Sequence, residues 1–294
     1  MTMSWFKVTF WGVRGSIPTP GRNTMRYGGN TACLEIRTGE GDWIIFDAGT
    51  GLRVLGESLD LSKKYAINLF ISHPHWDHIN GFPFFTPIYI PGNEIVIYGP
   101  GTFESSLEGI IGGQMKYTYF PVRTQELLAK ISYHQIEQES FTLGNFRVES
   151  IPLNHPVACL GYRIIYRDKV FIYLGDNEPY YNIYKDDDQE LAEFTESLNT
   201  RLRDFVKGAD ILVTDAQYLP SEYESKRGWG HSHTHHVMNL AVSAGVKKLF
   251  FFHHEPLRTD DELDGIVEFY RGKIREKGLS LELYAAAEGT THEV

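Results

Sequence analysis

His73-Pro74-His75-Trp76-Asp77-His78 gathers three imidazoles and a carboxylate into six residues. Imidazole nitrogen and carboxylate oxygen are donors that divalent zinc, manganese and iron accept. The segment follows Ile67-Asn68-Leu69-Phe70-Ile71-Ser72, an apolar run that reads as a buried strand. A strand ending in a tight turn points alternate side chains into one space. His73 and His75 can then share a metal, with Asp77 and His78 facing a second position. A polar surface turn is the plainer alternative, but so dense a donor set favours a metal site.

The spacing His73-x-His75-x-Asp77-His78 resembles the signature of the metallo-β-lactamase fold superfamily. That resemblance implies two divalent metal ions and three further ligands: a histidine, a bridging aspartate and a last histidine. Candidates follow in that order. His155 lies in Ile151-Pro152-Leu153-Asn154-His155-Pro156, Asp176 ends Lys169-Val170-Phe171-Ile172-Tyr173-Leu174-Gly175, and His253 ends Lys248-Leu249-Phe250-Phe251-Phe252. By this correspondence His73, His75 and His155 hold one metal, Asp77, His78 and His253 the other, and Asp176 bridges them. Alone, His155 or His253 would read as an ordinary polar or core histidine; their order behind the first motif assigns them. His254 adjoins His253, but neighbours at a strand end point opposite ways, and the gap from His253 to Pro256 matches the family. Asp176 closes an apolar strand, where a carboxylate needs a partner. Trp43-Ile44-Ile45-Phe46-Asp47-Ala48-Gly49 matches the strand and Asp-x-Gly turn that support the metal loop in the family. The adjoining Gly49-Thr50-Gly51 is no dinucleotide loop, because Val54 stands where that motif needs a small residue.

Two dications about 3.5 Å apart lower the pKa of water from about 15.7 towards about 7, supplying hydroxide at neutral pH. No serine or cysteine nucleophile is then required, and no Gly-x-Ser-x-Gly elbow occurs. Gly230-His231-Ser232 before a helix, then Val246-Lys247-Lys248-Leu249, His253 and Pro256, resembles the phosphodiesterase branch of the superfamily. That branch includes transfer-RNA 3′-end processing nucleases and cyclic-nucleotide phosphodiesterases. It implies that His231, leaning on Asp215, assists the leaving oxygen or the phosphate, with Asp77 completing the catalytic set. His233, His235 and His236 read as surface residues. The opening Phe10-Trp11-Gly12-Val13-Arg14-Gly15-Ser16-Ile17-Pro18, with Tyr27-Gly28-Gly29-Asn30-Thr31, resembles bacterial cyclic-nucleotide phosphodiesterases. Arg14, Asn30 and His231 are therefore candidate substrate contacts. The expected activity is hydrolysis of a small anionic phosphodiester such as a 3′,5′-cyclic nucleotide. Alternatives are a transfer-RNA 3′-processing endoribonuclease, a β-lactam or thioester hydrolase, and a metal-loaded binding protein without turnover.

Acids outnumber bases 38 to 28, for a net charge of −10, which disfavours a large nucleic-acid partner gripped through phosphates. Cys33 and Cys159 are too few for a disulfide framework and read as small buried hydrophobes. The N-terminus lacks the pattern of a secretory signal and no apolar run could span a bilayer. These features fit a cytoplasmic protein without a membrane partner, and are compatible with a homodimer.

Short β-like runs alternate with helical stretches across 1–294, which predicts one α/β domain; with the family resemblance it is a four-layer αββα sandwich. Strands are expected at Phe6–Trp11, Thr31–Arg37, Trp43–Phe46, Val170–Leu174, Ile211–Asp215 and Lys248–Phe252. Helices are expected at Gly51–Ser58, at Gln189–Lys207, amphipathic with Leu191, Phe194, Leu198, Leu202 and Phe205 on one face, and at Ser232–Ala244. The Gly- and Pro-rich stretch 12–30 is long enough to be a functional loop near the active site. Residues 101–135 form a loop-rich insertion, readable either as a lid over a flat substrate ring or as an irregular packed segment.

Overall fold

The computed structural model describes residues 6–181 and 189–294. Among them, strands β1 (Phe6–Gly12), β2 (Cys33–Thr38), β3 (Trp43–Phe46), β4 (Ala66–Phe70), β5 (Glu94–Gly99) and β6 (Lys130–Gln135) form most of one sheet. A second sheet contains β7 (Ser140–Leu143), β8 (Phe146–Pro152), β9 (Leu160–Tyr166), β10 (Lys169–Tyr173), β11 (Ile211–Asp215), β12 (Lys248–Phe252) and β13 (Glu282–Ala285). β14 (Thr291–Glu293) returns to the first sheet and pairs antiparallel with β1.

The apolar runs face both ways because each sheet is covered on both sides. Between the sheets lie Phe6, Phe10, Phe46 and Phe70 from the first and Tyr162, Phe171, Tyr173, Phe250 and Phe252 from the second, all fully buried. The rings of Phe46 and Phe171 meet at 5.4 Å, and those of Phe10 and Phe250 at 5.2 Å. Each such side chain contributes about 1.5–3 kcal/mol of burial, so this aromatic layer is the rigid base beneath the site. Outside the first sheet pack α1 (Gly51–Glu57), α2 (Trp76–Ile79) and α3 (Leu107–Gln114), through Leu52, Leu55, Ile79, Leu107 and Ile111. Outside the second lie α4 (Gln189–Val206), then, after the single turn α5 (Pro220–Tyr223), α6 (Thr234–Ser243) and α7 (Asp260–Glu276). The result is the αββα sandwich.

β3 and β4 are parallel, as are β10, β11 and β12. Open α/β sheets place their ligands beyond the carboxyl ends of such strands. Asp47 follows β3, His73–His78 follow β4, His155 follows β8, Asp176 follows β10, Asp215 ends β11 and His253 follows β12.

One local expectation needs correction. Much of 101–135 is regular: Ser106 caps α3, Leu107, Ile111 and Met115 are buried, and Lys130–Gln135 is an edge strand. Phe120 packs edge-on against Phe84 at 5.4 Å. The paired glycines 112–113 sit inside a helix whose isoleucine packing overrides their low propensity. In α4 the buried residues are Leu202 and Val206, and Phe194 stays 59% exposed, because only the C-terminal half of this helix reaches the sheet.

Candidate metal centre

The turn after β4 is held from below by Asp47. Its carboxylate accepts from Ser72 N–H at 2.7 Å, Ser72 Oγ–H at 2.9 Å, His78 Nδ1–H at 2.8 Å and the Tyr173 hydroxyl. Asp47 is fully buried with φ of 58°, a strained conformation fixed by those four donors. With Nδ1–H spent on Asp47, Nε2 of His78 points into the site. Three other histidines are set the same way. Ser72 Oγ takes His73 Nδ1–H at 3.0 Å, Gly230 O takes His155 Nδ1–H at 2.9 Å, and Gln217 Oε1 takes His253 Nδ1–H at 3.1 Å. Such partners are what orient imidazoles for metal ligation.

The freed atoms converge in two groups. His75 Nδ1 lies 3.0 Å from both His73 Nε2 and His155 Nε2, and Asp176 Oδ2 lies 3.5 Å from His73 Nε2. Alongside, His253 Nε2 is 3.0 Å from Asp77 Oδ2 and 3.2 Å from His78 Nε2, with Asp176 Oδ1 3.3 Å away. Within each group, His73/His75/His155/Asp176 and Asp77/His78/His253, every donor atom lies within 4.8 Å of the others. Lone pairs at such separations repel unless a cation or protons sit among them. Asp176 Oδ1 is buried with no hydrogen-bond donor, an orphan that a cation satisfies. The donor set therefore suits two divalent metal ions, one carboxylate standing between them.

Burial pushes His73 far below the ordinary imidazole range and brings His155 down to about 4. Both are thus neutral, the form that binds metal. His78, by contrast, is raised despite its burial by the Asp176, Asp77 and Asp47 carboxylates, so a metal must displace a proton there. Burial alone would raise the Asp176 carboxyl, but positive charge at the facing imidazoles, His253 and His78 first, holds it well below its usual value. His231 is raised as well. Burial lowers it, but Asp215, 3.1 Å from Nδ1 and backed by Asp176 and Asp77, lifts it to about 9. Asp215 thus favours the protonated form of His231, which lines the cavity. Asp215 is itself fixed by the N–H groups of Ser232 (2.9 Å) and Gln217 (2.9 Å).

The cavity over the clusters holds about 400 Å³ and is lined by Ser16, Pro74, His75, Trp76, Asp77, Asp176, His231 and His253. The long loop after β1 does reach it: Ser16 N–H donates to Asp77 Oδ2 at 2.7 Å. At Gly15 a Cβ would overlap the imidazole of His253. Gly15→Ala is accordingly expected to displace that ring and leave about one metal per chain by elemental analysis; two retained metals would refute the tight fit. Asp47→Asn keeps the volume but loses the charge on which four donors converge. It should weaken metal binding about 10–100-fold in chelator competition and cost about 1–3 kcal/mol in urea denaturation.

Neither Arg14 nor Asn30, the expected substrate contacts, lines the cavity. Arg14 is fully buried, donating to the carbonyls of Gly28 (2.8 Å) and Arg258 (2.7 Å) near Asp260. Its guanidinium ties β1's loop to α7. Asn30 gives its backbone and side-chain N–H groups to Glu288, at 2.6 and 2.9 Å. His254 turns away to Ala286 O, as strand alternation requires. Of the three histidines read as surface residues, only His235 is exposed; His233 Nδ1 caps α6 by accepting from His236 N–H, and His236 is half-buried. Gln217, Ser72 and Ser16 were missed by sequence reasoning. They contact ligands only through the fold, although Ser72, directly before His73, lay within reach of a search for hydroxyls beside the motif.

Residues 42–254, most of the chain, match the family model described as a β-lactamase superfamily domain. Ribonuclease Z of Thermoplasma volcanium is 25% identical over 311 residues, covering 94% of this chain and 95% of its own. Unliganded yeast PDE1 superposes with a TM-score of 0.70 at 18% identity, over 99% of this chain and 100% of its own. The short form of human tRNase Z gives 0.64 at 18%, over 97% and 98%. At such identities the two structures speak for the fold alone. Fold, donor set and family match agree: the chain belongs to the β-lactamase superfamily, as a hydrolase of the metallo-β-lactamase fold with a place for two metal ions.

Proposed function

We propose that this protein is a dinuclear-metal phosphodiesterase acting on a small substrate such as a 3′,5′-cyclic nucleotide. In this reading His73, His75 and His155 hold one metal, Asp77, His78 and His253 hold the other, and Asp176 bridges. When bound, the metals supply Lewis acidity and make water nucleophilic at neutral pH.

The observation that carries the reading is the Asp215–His231 pair. An alkoxide leaving phosphorus needs a proton as it departs, whereas a thiolate does not. His231, held protonated by Asp215, can deliver that proton from Nε2 and also attract the diester anion. Asp77, gripped by Ser16 N–H and His253, keeps its carboxylate aimed at the second cluster. The net charge of −10 supports a small anion over a folded RNA.

A second reading, cleavage of transfer-RNA precursors near the 3′ end, is favoured by the ribonuclease Z relative that spans nearly the whole chain. The test is a panel of cyclic AMP, a precursor transfer RNA, a generic aryl phosphodiester and a β-lactam, given to protein loaded with zinc or manganese. Cleavage of the cyclic nucleotide is expected. Cleavage of the precursor RNA alone would replace the first reading by the second, and cleavage of the β-lactam alone would end both.

A further inference from the structure

Two tryptophans stand in water beside the metal clusters, and packing explains neither. Trp76, between His75 and Asp77, is 82% exposed on the cavity wall. Trp229, directly before Gly230 and His231, is 56% exposed. A single imidazole links their neighbours: His155 meets His75 Nδ1 through Nε2 (3.0 Å) and Gly230 O through Nδ1 (2.9 Å).

The turn carrying Trp229 is clamped. Buried Glu178 accepts from Gly228 N–H at 2.8 Å, Gly230 N–H at 2.9 Å and the Tyr223 hydroxyl at 2.7 Å. Gly230 has φ of 86°, and a Cβ there would overlap the His155 ring, so the turn lies tight against the site. Lys226 Nζ sits 4.4 Å from the Trp229 ring centroid and 5.6 Å from that of Tyr218, whose ring lies edge-on to His231 at 5.8 Å. Glu224 pairs with Arg227 instead, and the contacts given for the Lys226 ammonium are with the Trp229 and Tyr218 rings. Flat exposed rings next to a cation are the means by which proteins hold unpaired nucleobases and their phosphates.

We infer that Trp76 and Trp229 form a nucleobase-stacking rim around the metal centre, with Lys226 as its phosphate-facing cation. The site thereby selects phosphodiesters that carry a base, whether a cyclic nucleotide or the unpaired end of an RNA strand. The inference deepens the phosphodiesterase reading and rests on it for its kinetic arm.

Metal-loaded wild type, Trp76→Ala, Trp229→Ala and Lys226→Ala would be compared on cyclic AMP, a short unpaired oligoribonucleotide and glycerophosphoethanolamine, a diester without a ring. Stacking on one aromatic side chain carries roughly a tenfold effect or more per base. Each Trp→Ala change should therefore lower the preference for a nucleotide over the ring-free diester about tenfold, through KM, and Trp→Phe should restore most of it. Loss confined to the oligoribonucleotide would assign the rim to an RNA strand; loss on cyclic AMP as well would assign it to single nucleotides. Intrinsic tryptophan fluorescence gives a second readout, with quenching expected on titration with a phosphorothioate analogue of cyclic AMP or of the oligoribonucleotide. Equal effects of the Trp→Ala changes on nucleotide and ring-free substrates, or no quenching by either analogue, would overturn the rim. A wild type that cleaves no phosphodiester, yet shows quenching lost in the Trp→Ala variants, would overturn the phosphodiesterase reading and leave the rim standing.

Discussion

Asp176→Ala is expected to empty both metal positions and abolish hydrolysis while the sandwich still folds. The Asp176 carboxylate lies 3.5 Å from His73 Nε2 on one side, and 3.4 and 3.3 Å from the Nε2 atoms of His78 and His253 on the other. It lines the cavity, so water can fill its place in the variant, but water lacks the negative charge that two dications share. Changes to outer-shell partners already cost about 10–100-fold in metal affinity, and loss of a carboxylate shared by both clusters should exceed that. Asp176→Asn separates charge from volume: it should lose metal and activity to a similar degree but unfold nearer the wild-type denaturant midpoint. Retention of two metals per chain by Asp176→Ala would show that the bridging assignment is wrong.

His231→Ala should lower kcat about 10²-fold with metal content intact. The distinction matters because His231 Nδ1 lies 3.8 Å from Asp176, and Asp176, His231 and His253 could together hold an ion. A proton donor and a ligand differ in what rescues them. If His231 protonates the leaving oxygen, a substrate with a weakly basic aryloxide leaving group should lose far less rate than an alkyl diester. If His231 binds metal, both substrates fall together and the metal is lost. Asp215→Asn should reproduce the leaving-group dependence in milder form, since Asp215 acts by keeping the imidazole charged and oriented.

The clustering of the candidate ligands was legible because their order along the chain matches a resemblance, and because the turn at 73–78, Asp176 and His253 each follow an apolar run that reads as a strand; the strand before His155 was not foreseen. β11 and β12 appear at the expected residues, Ile211–Asp215 and Lys248–Phe252. Arg14 shows where such reasoning stops. An arginine in a glycine-rich loop looks solvent-facing, and nothing in its neighbours along the chain reveals that carbonyls of residues 28 and 258 will enclose it. Gln217 was hidden for the same reason: its contact with His253 spans 36 positions and depends on the register between β11 and β12. The helix at 260–276 was overlooked although Thr259 and Glu262 form a capping box, a signal that local reading can find. Phe194 shares the apolar face yet stays exposed, because helical periodicity says which face is apolar, not how far along the helix a neighbour extends.

Of the four non-glycine residues with left-handed backbone among the described residues, Ser16, Asp47 and His253 border the metal centre. Such conformations store about 1–3 kcal/mol each and persist only where surrounding contacts enforce them. Withdrawing the ions with a chelator removes part of that enforcement from three turns at once. Amide hydrogen exchange should then accelerate around residues 15–17, 46–48 and 252–254 well before the central strands respond. The hydrolase would fray at its reactive mouth first, and the rate of that opening would report how firmly the cations are held.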